Sequence, residues 1–172
     1  EKGVEQLLEA TAIISGERPI QVVIVGGEDA DRGEVERLQS LSRKLGIADM
    51  IRFHSAVEQD ELPLYYSSAD VLVMPSRYET FGLVAVEALA CGLPVIASPV
   101  GAIPQLVQEG KTGFLLESSR PADLATTLVR FINDEHLRQH MAMSARPAVA
   151  DLSWSKVAER LAEEYGKLAT MA

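Results

Sequence analysis

Two glutamates, Glu79 and Glu87, stand eight positions apart around the run Phe81-Gly82-Leu83-Val84. Gly82 falls where a helical pattern begins. The N–H groups just after it therefore lack intrahelical acceptors, and with the helix dipole they make a place for an anion. Glu79 lies in the loop before that start and can accept hydrogen bonds from hydroxyls. Glu87 follows about one and a half turns into the helix. An anion bound at the helix start repels a carboxylate, so a glutamate here, otherwise read as a solvated helix-face residue, needs a reason. The paired hydroxyls of a ribose, one to each carboxylate oxygen, would provide it.

Other reactive side chains carry less. Asp29-Ala30-Asp31 has the Asp-x-Asp form of a metal motif but stands in a polar loop, and it reads as a solvated turn. His136 and His140 are spaced to share a zinc ion, yet no third ligand is evident, so they read as an exposed helix face. No metal or other cofactor is expected. His54 follows a strand at the crevice edge, where structural and substrate-lining roles are evenly balanced. Cys91 reads as a small buried hydrophobe, and Trp154 as a residue that docks the last helix by packing. Neither Gly-x-Gly-x-x-Gly nor a Gly-Lys-Ser/Thr loop occurs, which disfavours dinucleotide-dependent dehydrogenases and P-loop NTPases.

The elements that must position these residues follow from periodicity. Helical spacing marks 3–15, 33–46, 61–68, 82–91, 122–133, 135–146 and 154–169. Short apolar strands are expected at Ile20–Val25, Ile51–Phe53, Val71–Met74, Pro94–Ala97 and Phe114–Leu116. These strands do not alternate apolar with polar, as befits strands covered on both faces. Strand and helix alternate five times before helices take over. The expected fold is α/β: a Rossmann-like, doubly wound parallel sheet with right-handed crossovers and a helical C-terminal segment. Such sheets bind ligands beyond the carboxyl ends of their strands. The segments to inspect are Gly26-Gly27, His54–Val57, Pro75–Gly82 and Ser98–Ala102.

Bulk properties narrow the function further. The 172 residues make a single domain spanning 1–172, large enough to bury about 70% of its unfolded surface without a staple. The net charge of −9 repels phosphate backbones and anionic bilayers, so neither nucleic acid nor a membrane is expected as a partner. No apolar run approaches the ~20 residues of a membrane span. The single cysteine allows no intrachain disulfide and fits a reducing compartment, so a cytoplasmic location is expected. Without an initiating methionine, and starting in mid-pattern at Glu1-Lys2-Gly3, the chain is expected to be a piece of a longer protein.

Taken in order along the chain, these segments resemble retaining glycosyltransferases of the GT-B fold, glycosyltransferase family 4. Glu79 and Glu87 match that family's Glu-x7-Glu signature. Lys2-Gly3 and the following Val4–Ala10 are similar to its Lys-Gly helix opening. Val22–Gly27, Ile51–Phe53 with Ala56-Val57, Ala69–Ser76, Ala90–Ala97, Gly101 with Val107, and Gly110 with Gly113–Leu115 match in sequence order. The resemblance covers nearly the whole chain and makes it a C-terminal donor-binding domain. It implies that Glu79 contacts donor sugar hydroxyls and Lys2 neutralises a phosphate oxygen as the leaving group departs. These two are the candidate catalytic residues. Phe81, Gly82, Leu83 and Val84 would hold the sugar and distal phosphate, Glu87 the ribose, and Arg52, His54 and Val57 the base. The implied reaction moves a hexosyl unit, with retention, from a nucleotide diphosphate sugar to an acceptor. UDP is preferred over GDP and ADP because 26–46 look most like the sucrose-synthase-like branch.

The departures are Ser55 where the family has Gly, and Gly101-Ala102 where it has a Gly-Gly pair. The strand that precedes Lys2 in the family, and the acceptor-binding domain before it, are expected to lie outside this chain. A gap is then expected between the strands at 20–25 and 71–74, with self-association of the piece as one outcome. The isolated piece is expected to bind donor weakly and turn over little or nothing. The alternatives are a non-catalytic nucleotide-sugar binding module and a related sugar-nucleotide epimerase or hydrolase.

Overall fold

The computed structural model describes residues 2–16, 19–26 and 32–169. In chain order the elements are α1 (Val4–Ile14), β1 (Val22–Val25), α2 (Arg32–Lys44), β2 (Ile51–His54), α3 (Leu62–Ser68), β3 (Leu72–Met74), α4 (Leu83–Ala90), β4 (Val95–Ala97), α5 (Ile103–Leu106), β5 (Gly113–Leu115), α6 (Pro121–Asn133), α7 (Glu135–Ala148) and α8 (Trp154–Ala169). Single 3-10 turns at Ala48–Met50 and Ala150–Leu152 precede β2 and α8. All five expected strands form, and every pairing is parallel. The short α5 was not expected, because four residues begun by Ile103-Pro104 are too few to show a period. Gly27 and Asp29-Ala30-Asp31 lie outside the described residues.

The strands divide into two sheets, with the break falling between β1 and β3, where a gap is expected from the sequence. Val22 pairs with Ile51 in the first; the second runs in the order β3-β4-β5, with Leu72 opposite Val95 and Val95 opposite Gly113. Among the described residues no ladder joins the two sheets. Helix α1 spans the break. Leu8 packs with Val22, Ile24, Ile51 and Phe53, whereas Ala10 and Ile14 pack with Ile96, Phe114 and Leu116.

Burial also departs from expectation in β1. Val22 and Ile24 face the α1 and α2 side chains, but Val23 on the opposite face is 47% exposed. In the second sheet β4 is buried on both faces, as its unbroken apolar run requires. On α6, Leu124, Ala125, Leu128 and Phe131 recur at helical spacing and fill the core beneath this sheet. Asp134 caps α7 by accepting from the Leu137 N–H at 2.9 Å. The Arg138 guanidinium donates to the Phe131 and Ile132 carbonyls that end α6. Cys91 is half-buried against the core. Trp154 does not dock α8: it is 86% exposed, with Leu161 and Tyr165 also outward. Periodicity identifies an apolar stripe on α8 without specifying what covers it.

Candidate functional site

The candidate residues collect at the carboxyl ends of β3 and β4, where an open parallel sheet leaves room for a ligand. From Met74 the chain passes through buried Pro75 and Ser76 into the loop that carries Glu79. Gly82, in the left-handed conformation, then starts α4 (φ +84°). Its carbonyl accepts from the Ala85 and Val86 N–H groups. Leu83 and Val84, as first and second residues of the helix, have no intrahelical acceptor for their N–H groups. Their side chains and that of Phe81 are exposed beside them. The first turn of α4 contains no acidic residue, so the positive end of its dipole is uncancelled there.

Lys2 and Glu79 meet across 77 positions of sequence. The Lys2 Nζ donates to Glu79 Oε2 at 3.0 Å. Glu79 Oε1 accepts from its neighbour's N–H, that of Thr80, also at 3.0 Å. The side chain of Glu79 is only 14% exposed and that of Lys2 is 69% exposed. Lys2, with assistance from the Thr80 and Gly82 N–H groups, holds the Glu79 carboxyl below its ordinary range against the opposing effect of burial. Glu79 is thereby kept ionised. Two close approaches set this geometry. A Cβ on Gly3 would lie 2.1 Å from the Pro75 carbonyl oxygen, so only glycine lets the start of α1 reach the end of β3. On the far side, a Cβ on Gly101 (φ +59°) would lie 2.1 Å from the Glu79 carbonyl oxygen and 2.5 Å from that of Thr80. The next residue, Ala102, donates its N–H to the Thr80 carbonyl at 3.0 Å.

Neither departure from the family pattern strains the backbone. Ala102 has an ordinary right-handed conformation (φ −85°). Ser55 is exposed, and no described non-glycine residue has a positive φ.

Glu87 sits half-buried on α4, turned toward α3. The Tyr66 hydroxyl donates to Glu87 Oε2 at 2.8 Å. Burial, followed by this bond and the carboxylate charge, pushes the Tyr66 hydroxyl pKa up. The adjacent Tyr65 meets the His54 imidazole edge to face, with ring centroids 5.8 Å apart. His54 and half-buried Val57 stand at the carboxyl end of β2. Arg52 does not join them. Its guanidinium turns back to the Asp49 and Ile51 carbonyls at the start of the strand. Arg52 lies two positions before His54, about 6.6 Å along the strand. Sequence reasoning missed Tyr65 and Tyr66, which it read only as part of a short helix. No local spacing connects Tyr66 to a glutamate 21 residues later.

The domain has the fold of the C-terminal domains of GT-B glycosyltransferases. Sucrose-phosphate synthase from Thermosynechococcus elongatus superposes with a TM-score of 0.89 at 35% identity, over 99% of this chain and 43% of that one. The Anabaena protein HepE, solved in complex with UDP and glucose, superposes with a TM-score of 0.85 at 26% identity, over 96% of this chain and 45% of that one. The chain belongs to the family Glycosyl transferases group 1, which matches residues 1–147. It is 41% identical over 170 residues to the D-inositol 3-phosphate glycosyltransferase of Streptomyces scabiei, covering 95% of this chain and 38% of that relative. The chain thus spans about two fifths of the length of that relative. Among the described residues, no helix is long and apolar enough to cross a membrane.

Proposed function

We propose that this chain is the donor-binding part of a retaining glycosyltransferase that moves a hexosyl unit from UDP-sugar to an acceptor, without a metal. The observation that carries this reading is the Lys2–Glu79 pair, 3.0 Å apart beside the open start of α4. A diphosphate at that helix start draws Lys2 away from Glu79. The ammonium then offsets charge on the departing phosphate, the step at which it counts most. Glu79, relieved of its partner, accepts from the sugar hydroxyls. The Leu83 and Val84 N–H groups take the phosphate oxygens, and Phe81 and Gly82 line the sugar side. Lys2 and the backbone donors provide the positive charge that a divalent cation supplies elsewhere. Glu87 binds the ribose, with His54 and Val57 beside the base. The preference for UDP is supported by the HepE complex. The acceptor is held by the rest of the full-length protein, which is cytoplasmic.

The test is calorimetric titration of the full-length protein with UDP, GDP and ADP. UDP is expected to bind best, and Glu87→Ala to weaken it by about 1–3 kcal/mol through lost hydrogen bonds to a charged acceptor. An unchanged dissociation constant in Glu87→Ala removes Glu87 from the site. Failure of all three nucleotides to bind at millimolar concentration overturns the donor-site reading.

A further inference from the structure

We propose that Tyr66 is a positioning residue for the nucleotide, its hydroxyl fixing the Glu87 carboxylate in the orientation that receives the ribose hydroxyls. The inference rests on the reading of Glu87 as the ribose acceptor. Its own support is geometric. The Tyr66 ring is buried in the core cluster that contains Ala85, Ala88 and Leu89 of α4 and Val95 of β4. Its hydroxyl emerges from that packing to meet Glu87 Oε2 at 2.8 Å. Among the described residues no other hydrogen-bond donor reaches the Glu87 carboxylate, so Oε1 stays open. A glutamate free to turn about its side-chain torsions loses that freedom when it binds a ligand. A tyrosine anchored by packing has little freedom left to lose. Tyr66 thus pre-orders the carboxylate before the nucleotide arrives. The raised pKa of the hydroxyl keeps it a donor throughout the physiological range.

Tyr65 extends the same logic. Consecutive helix residues do not face each other. Helix α3 therefore directs one ring to His54 at the end of β2 and the next to Glu87 on α4. One short helix links the candidate base side of the crevice to its ribose side.

The experiment uses full-length protein and whichever of UDP, GDP and ADP binds best, together with the 2′,3′-dideoxy form of that nucleotide. Affinities are measured for the unaltered protein, Tyr66→Phe, Glu87→Ala and the double variant. Tyr66→Phe removes one oxygen and keeps the packed ring, and its melting temperature reports that the fold is intact. The expected result is a loss of about three- to tenfold in affinity for the nucleotide, with none for the dideoxy form. In the Glu87→Ala background the same substitution is expected to change nothing further. Equal losses for both ligands, or no loss for either, overturn the positioning role while the ribose reading stands on Glu87→Ala. If Glu87→Ala leaves affinity unchanged, the ribose reading fails and this inference fails with it.

Discussion

Replacing Gly101 by alanine tests whether the loops after β3 and β4 are locked as described. The new Cβ would stand 2.1 Å from the Glu79 carbonyl oxygen and 2.5 Å from that of Thr80, where ordinary contact begins at 3.4 Å. Both obstacles are backbone atoms, so no side chain can swing aside. The Glu79 loop must retreat by roughly 1 Å or more, and overpacking of this kind typically costs about 1–3 kcal/mol. The left-handed conformation adds about 1–2 kcal/mol for any residue with a Cβ. Gly110 provides the control. It has a similar φ of +72°, but a Cβ there meets nothing within 4 Å. Gly110→Ala therefore incurs the conformational cost alone, and the entropy that alanine removes from the unfolded chain cancels between the two variants. Gly101→Ala is expected to be less stable than Gly110→Ala by about 1–3 kcal/mol. That difference corresponds to about 2–4 °C in Tm per kcal/mol for a domain of this size. Thermal unfolding of the two variants side by side measures it. A Gly101→Ala variant that melts with or above Gly110→Ala refutes the claimed approach to Glu79.

The Lys2–Glu79 pair has a consequence at acid pH. Because the Glu79 carboxyl is held below its ordinary range, the folded state binds that proton more weakly than the unfolded chain does. The resulting stabilisation is complete above the unfolded value of about 4.3 and is lost as pH falls through the lower folded value. The stability gap between the unaltered protein and Glu79→Gln should therefore close as pH is lowered from 7 to about 3, read as melting temperatures. A gap that widens toward acid contradicts the pairing. In the core, Phe131 is 1% exposed and packs beneath the β3-β4-β5 sheet. Phe131→Ala should cost about 3–5 kcal/mol in chemical unfolding, and Phe131→Leu much less. Equal effects of the two would show that the site collapses around either residue.

Much of this molecule is legible without coordinates, for a local reason. Strands such as Val95–Ala97 and helices such as α6 carry their period in neighbouring residues, and period follows from backbone geometry. The open start of α4 is readable for the same reason: Gly82, Leu83 and Val84 are consecutive, and any helix leaves its first N–H groups unpaired. So is the spacing of Glu79 and Glu87. Contacts across the chain were not readable. Lys2 reaches Glu79 only because α1 starts against the end of β3, an approach set by tertiary packing and permitted by the missing Cβ of Gly3. Tyr66 reaches Glu87 only because α3 lies against α4. The turning back of Arg52 and the exposed face of α8 belong to the same class. Periodicity determines which face of an element is apolar. Which element covers that face, and which side chains then meet, depends on interactions summed over residues far apart in sequence.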